Sequence, residues 1–139
     1  MKNSKHYFNR LICVALVPIL CVTLIVSVFA LTYKGSVQLK ANERSVTSGQ
    51  YSGHWGNVRA YNNSGSAGSV TAELQLSSGG GWKTYASVSV APGKSDETKA
   101  WGQNGVSYLY RTILSASNPP LLGNPGCIAS ASIYTDSSN

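Results

Sequence analysis

Between Val70 and Ser77 every second residue is apolar: Val70, Ala72, Leu74 and Leu76 alternate with Thr71, Glu73, Gln75 and Ser77. A period of two places the apolar set on one side of an extended chain, which predicts a β-strand with one buried and one wet face. Gly79-Gly80-Gly81 turns the chain, and the alternation resumes with Trp82, Thr84, Ala86, Val88 and Val90 against Lys83, Tyr85, Ser87 and Ser89. The two runs read as a hairpin, with Val70, Leu74, Leu76, Val88 and Val90 in the core. Ile133 joins them from a last strand, Cys127 to Thr135, in which Cys127, Ala129, Ala131 and Ile133 alternate with Ile128, Ser130, Ser132 and Tyr134. Small residues on its inner side predict close packing of two sheets.

Turn signals divide the rest of the chain. Pro92-Gly93 predicts a type II turn, since proline presets φ at the first central position and glycine tolerates positive φ at the second. The almost wholly polar segment from Lys94 to Trp101 suits an edge strand protected by charge. Asn104-Gly105 predicts a type I′ hairpin turn into Val106 to Leu114, whose apolar residues on both parities predict a central strand covered on both sides. Gln50 to Tyr61 reads as a strand broken by glycines, and Asn62 to Gly68 as a loop. Ser115 to Gly126, with Asn118-Pro119-Pro120 and Asn124-Pro125-Gly126, is the longest irregular segment and a place where function could sit. Turn signals at intervals of about 10 to 12 residues, with no helical period, predict an all-β domain. An open sheet could not bury its apolar face, so the expected fold is a small antiparallel β-sandwich of about six or seven strands. It is expected to occupy residues 50–139, with 31–49 as a polar tether or a ragged first strand.

Before this domain, Lys2, Lys5 and Arg10 lead into an uncharged, mostly apolar stretch from Leu11 to Ala30. The pattern predicts an export signal over residues 1–30, with Val28-Phe29-Ala30 supplying residues that suit cleavage after Ala30. The stretch is also long enough for an uncleaved membrane anchor, although Pro18 would kink such a helix. Either way the remainder is expected outside the cytoplasm, secreted or held at the cell surface. Cleavage would remove Cys13 and Cys21 and leave Cys127 as a lone thiol. Lysine and arginine number 11 against five acids, and three of those bases belong to the signal. The balance left is mildly basic and scattered, which allows weak attraction to an anionic wall or lipid surface. It lacks the clustering of a nucleic-acid footprint, so no nucleic-acid partner is expected.

Candidate chemistry is sparse. Cys127 and His54 are the residues of the exported part that could form a thiol–imidazole pair. The segment Pro125-Gly126-Cys127-Ile128 resembles the glycine-cysteine-isoleucine core of the L,D-transpeptidases, exported enzymes that crosslink cell-wall peptides through a cysteine nucleophile. Ala129 stands where that family commonly has arginine, Asn124-Pro125 replaces its serine-histidine lead-in, and His54 lies much farther upstream than the family's histidine would. Asp96 and Glu97 are neighbours, which on a strand point to opposite faces, so paired-carboxylate hydrolysis has little support. One histidine and one thiol far apart form no metal-ligand pattern. No catalysis, cofactor or metal is therefore expected. Asn62-Asn63-Ser64 fits the N-glycosylation triplet, a pattern that arises often by chance.

The aromatic residues are more informative. Tyr51, Trp55 and Tyr61 share one parity of their strand, Tyr85 lies on the wet parity of its own, and Trp101 ends a polar segment. Exposed rings on a flat β face can stack on the apolar face of a pyranose. The expected ligand-binding set is Trp55 and Trp101 as anchors, Tyr51 and Tyr61 beside them, and Arg59 and Lys99 as polar contacts. The expected function is that of a non-catalytic binding module, secreted or at the cell surface, for cell-wall or other extracellular polysaccharide. A small, exported, basic, glycine-rich chain also fits a membrane-active toxin or antimicrobial protein.

Overall fold

A computed structural model describes residues 30–118 and 126–136. The export signal expected over 1–30, apart from Ala30, and the Pro119–Pro125 part of the long irregular segment lie outside the described residues. Among these residues ten strands form two antiparallel five-stranded sheets in a β-sandwich-like fold. Six are full-length: β1 (Thr32–Leu39), β4 (Trp55–Asn62), β5 (Val70–Ser77), β6 (Lys83–Val90), β9 (Tyr108–Ala116) and β10 (Ala129–Thr135). Four are short: β2 (Ser45–Thr47), β3 (Tyr51–Gly53), β7 (Ser95–Glu97) and β8 (Trp101–Gly102). Sheet one has the order β1-β10-β4-β7, with β8 also on β4. Sheet two has the order β2-β9-β5-β6, with β3 also on β9. The short strands arise because the chain keeps changing sheets. Within 31–49, β1 pairs with β10 and buries Val37 and Leu39, while β2 pairs with β9.

The core lies between the sheets, where Val58 and Ile133 of sheet one meet Val70, Leu74 and Leu114 of sheet two. All of the residues expected in the core from β5 and β10 are there; Val90 is buried and Val88 is half-buried against it. β5 and β6 form the expected hairpin, but the register between them slips. Leu74 faces Ala86 while Gln75 faces Thr84, so Tyr85 is an extra residue in a β-bulge. A one-residue slip exchanges the two faces. Thr84 and Trp82 therefore belong to the outer face of sheet two, where their side chains contact Glu73 and Arg111, and Tyr85 turns to Trp101, ring centroids 4.0 Å apart.

Two further expectations are corrected. Gly93 has φ +73° and Lys94 N–H donates to Ala91 O at 3.1 Å, as a type II turn requires. At Asn104-Gly105, by contrast, only the glycine has positive φ, so the turn is not type I′. It carries the chain from β8 in sheet one to β9 in sheet two, and no hairpin forms there. β9 is central in its sheet, between β5 and the β2/β3 edge. Its burial is one-sided, however, with Tyr110, Thr112 and Leu114 inside and Leu109 exposed.

The tightest constraint lies where the chain crosses between the sheets within the single residue His54, from β3 to β4. The peptide N–H groups freed there are taken by Asp136, whose Oδ1 accepts from His54 N at 2.7 Å and Trp55 N at 2.9 Å. Tyr110 spans the interior, fully buried, and its hydroxyl proton is shared between the carbonyls of His54 (2.9 Å) and Trp101 (3.1 Å). Its ring leaves no room for a side chain at position 56, since a Cβ on Gly56 would lie 2.7 Å from Tyr110 Cδ1. Gly56→Ala is accordingly expected to cost about 1–3 kcal/mol by overpacking, whereas Leu74→Ala should cost about 2–5 kcal/mol by leaving a cavity. Chemical denaturation of both variants checks the pair; parental stability in Leu74→Ala would contradict the strand phase.

Burial also raises the Tyr110 phenol above the ordinary value of 10.0, with the Asp136 charge adding to the shift. An acid whose folded pKa is raised keeps its proton longer in the folded than in the unfolded chain. Its contribution is therefore complete below pH 10 and declines as pH rises beyond it, by up to about 1.4 kcal/mol per pH unit for one proton. Unfolding free energies measured from pH 8 to 12 should show this decline. Tyr110→Phe should lose about 1–3 kcal/mol at neutral pH, from the two hydrogen bonds of its hydroxyl, and show a shallower alkaline slope.

Candidate functional site

The outer face of sheet one is set by the registers of β1, β10 and β4. Because β10 lies between the other two, its outward residues Tyr134, Ser132 and Ser130 each sit in a row across the sheet. The first row is Tyr33, Tyr134 and Asn57; the second is Ser36, Ser132, Arg59 and Glu97; the third is Gln38, Ser130, Tyr61 and Ser95. Tyr134 and Ser130 are separated by four residues of strand, about 13 Å. Serines floor the middle of the face, and the larger side chains rise around them.

The aromatic groups are held at defined places. Tyr33 and Tyr134 pack edge to face, 5.9 Å between centroids, and the Tyr33 hydroxyl donates to Ser36 Oγ at 3.3 Å. Arg59 lies over the Tyr134 ring at 5.7 Å. Its Nε and Nη2 both donate to Glu97 Oε2, at 3.1 and 2.9 Å, and this hydrogen-bonded carboxylate raises the Arg59 pKa further. Trp55 donates from Nε1 to Asn104 Oδ1 at 2.9 Å, which fixes the indole at the other end of β4. Tyr33, Tyr61 and Ile128 are about half exposed, at 55%, 47% and 50%. At the third row the face deepens into a groove of about 340 Å³ between Gln38 and Tyr61, lined also by Ser130, Ile128, Lys40 and Asn63.

Of the six residues singled out in the sequence, three lie on this face, two pack against the core and one stands on an exposed link. Trp55, Arg59 and Tyr61 share the outer face of β4. Tyr51 is on β3 in sheet two and packs against the core, with its ring close over Gly35 of β1. Trp101 lies opposite Gly56, which faces inward, and its ring joins Tyr85 and Tyr108 at one end of the sandwich. Lys99 is exposed on the link between β7 and β8. Two members of the face were missed. Tyr134 had a usable signal, the outward parity of the last strand; Tyr33 had none, because its strand shows no period.

Cys127 and His54 are not brought together. Cys127 is buried just before β10, its thiol 3.4 Å from Gly68 O, and His54 lies beyond the other end of that strand, beside Asp136. The seven residues of β10 separate them by roughly 20 Å. The Asn62 side chain is fully buried and its Nδ2 donates to Gly68 O and Val90 O, both at 2.9 Å, so the glycosylation triplet is closed in the folded chain. No protein-family model and no curated protein matches this chain.

Proposed function

We propose that this protein is a non-catalytic module, secreted or held at the cell surface by its N-terminal segment, that binds cell-wall or other extracellular polysaccharide on the outer face of sheet one. The observation that carries the reading is the three-row arrangement: a low serine floor, tyrosine rings standing at both ends, and a groove beside Tyr61. Such a face suits a chain of pyranose rings, whose apolar sides stack on aromatic planes while their hydroxyls meet short polar side chains. The Trp55 and Tyr33 rings also have little freedom left to lose on binding, because both are already hydrogen-bonded. Tyr61 and Trp55 are the anchors in this reading, with Tyr33 and Tyr134 extending the contact. Arg59 serves to support Tyr134, its donors being directed to Glu97.

Retention on cell-wall polysaccharide measures the claim. Tyr61→Ala and Trp55→Ala are each expected to weaken it by about 3- to 10-fold, the equivalent of ~0.5–1.5 kcal/mol per aromatic contact, without unfolding the chain. Trp101→Ala, on an inward residue, is expected to lower the melting midpoint instead. Equal retention by folded Tyr61→Ala, folded Trp55→Ala and the parent would remove the site, and dye release from lipid vesicles by the parent would support a membrane-active protein in its place.

A further inference from the structure

The outer face of sheet two carries a polar network of a different kind. Arg111 of β9 lies opposite Gln75 of β5, and Trp82 reaches the same face because of the bulge at Tyr85. The Arg111 guanidinium stacks 4.2 Å over the Trp82 ring, and its Nε donates to Gln75 Oε1 at 2.9 Å. Gln75 Nε2 in turn donates to Glu73 Oε2 at 3.1 Å and lies 3.1 Å from Thr84 Oγ1. Thr84 Oγ1 donates to the same Glu73 oxygen at 2.8 Å.

An arginine and a glutamate on adjacent strands of one face would ordinarily pair. Here Gln75 stands between them, accepting from Arg111 and donating to Glu73, while Thr84 holds the glutamate from the other side. The two outer-face arginines therefore differ. Arg59 directs two of its nitrogens to Glu97, whereas among the described residues Arg111 places only Nε, on the neutral Gln75. Among the described residues the pair of opposite fixed charges is Arg59–Glu97, and His54 Nδ1 lies 3.5 Å from Asp136 Oδ2. A guanidinium stacked on an indole and tied at Nε has lost most of its freedom before any ligand arrives. Its two terminal nitrogens form the planar fork that matches a carboxylate or a phosphate.

We propose that Arg111, braced by Trp82 and Gln75, is an anion-binding site on the face opposite the polysaccharide platform, taking the carboxylate or phosphodiester groups of an acidic surface polymer. The site stands on its own geometry and does not depend on ligand binding by sheet one. It is tested by NMR titration of the folded protein, following the Arg111 Nε–H and Trp82 Nε1–H signals. Galacturonate oligomers serve as the carboxylate probe, glycerol phosphate oligomers as the phosphodiester probe, and neutral galactose oligomers as the control. The expected result is a saturable shift of both signals with at least one charged probe and none with the control; the probe that acts identifies the anion. Arg111→Lys keeps the charge and loses the fork, so binding should weaken about 10-fold or more. Absence of shifts with both charged probes, or undiminished affinity in Arg111→Lys, would overturn the proposal. Should that variant not fold, Gln75→Ala releases Nε and is expected to weaken binding in the same direction; unchanged affinity there would count equally against the site.

Discussion

The structure depends on the place where Tyr110 meets the crossing at His54. A chain that passes from one sheet to the other within one residue leaves peptide groups that neither sheet can pair, and buried peptide groups without partners are costly. Asp136 takes the N–H groups, and the Tyr110 hydroxyl, together with Gln103 N–H at 3.1 Å, takes the His54 carbonyl. The same hydroxyl reaches Trp101 at the start of β8, so one side chain from sheet two ties down two strands of sheet one. Gly56 is the counterpart of this arrangement: without a Cβ it lets the phenol ring lie directly on the β4 backbone.

That lock explains why the outer faces are what they are. With β4 fixed at its start, Trp55, Asn57, Arg59 and Tyr61 must point outward and Gly56, Val58 and Ala60 inward. β10 follows in strict register beside it, and places Tyr134 and two serines between the side chains of β1 and β4. The second sheet acquires its own outer pattern through a different local device, the bulge at Tyr85, which moves Trp82 outward onto Arg111. In each sheet a backbone irregularity decides which side chains stand together on the surface. The two surfaces differ in chemistry as a result. One presents tyrosines around serines, and the other presents a cation held in place by neutral partners.

One-sided burial writes itself into a sequence as a period of two, which is why β5, the end of β6 and β10 are legible residue by residue. Parity is trustworthy only along an unbroken strand. Tyr51 and Trp55 share it, yet they fall inside and outside respectively because the crossing at His54 separates them, and Thr84 and Trp82 change face across one extra residue. β1 hides for a further reason: its Tyr33–Gly35 bulge breaks the alternation, and as an edge strand it buries chiefly Val37 and Leu39. Trp101 could not be oriented at all without knowing that Gly56 is its partner. The candidate site was accordingly half legible, through Trp55, Arg59 and Tyr61 on β4. Tyr134 could be read from the outward parity of β10, but Tyr33 and the groove beside Ser130 come from long-range pairing that no local pattern encodes.

Hydroxyl-radical footprinting of the folded protein with and without soluble wall polysaccharide tests the central claim most directly, because it reads side chains at the surface one by one. Binding across sheet one predicts that Tyr33, Tyr61 and Ile128 lose labelling together when the polymer is added, while Tyr85, exposed at the end of the sandwich, keeps its own. Loss of labelling at Tyr85 with Tyr33, Tyr61 and Ile128 unchanged, or no protection at any of the four by a polymer that is retained, would contradict it.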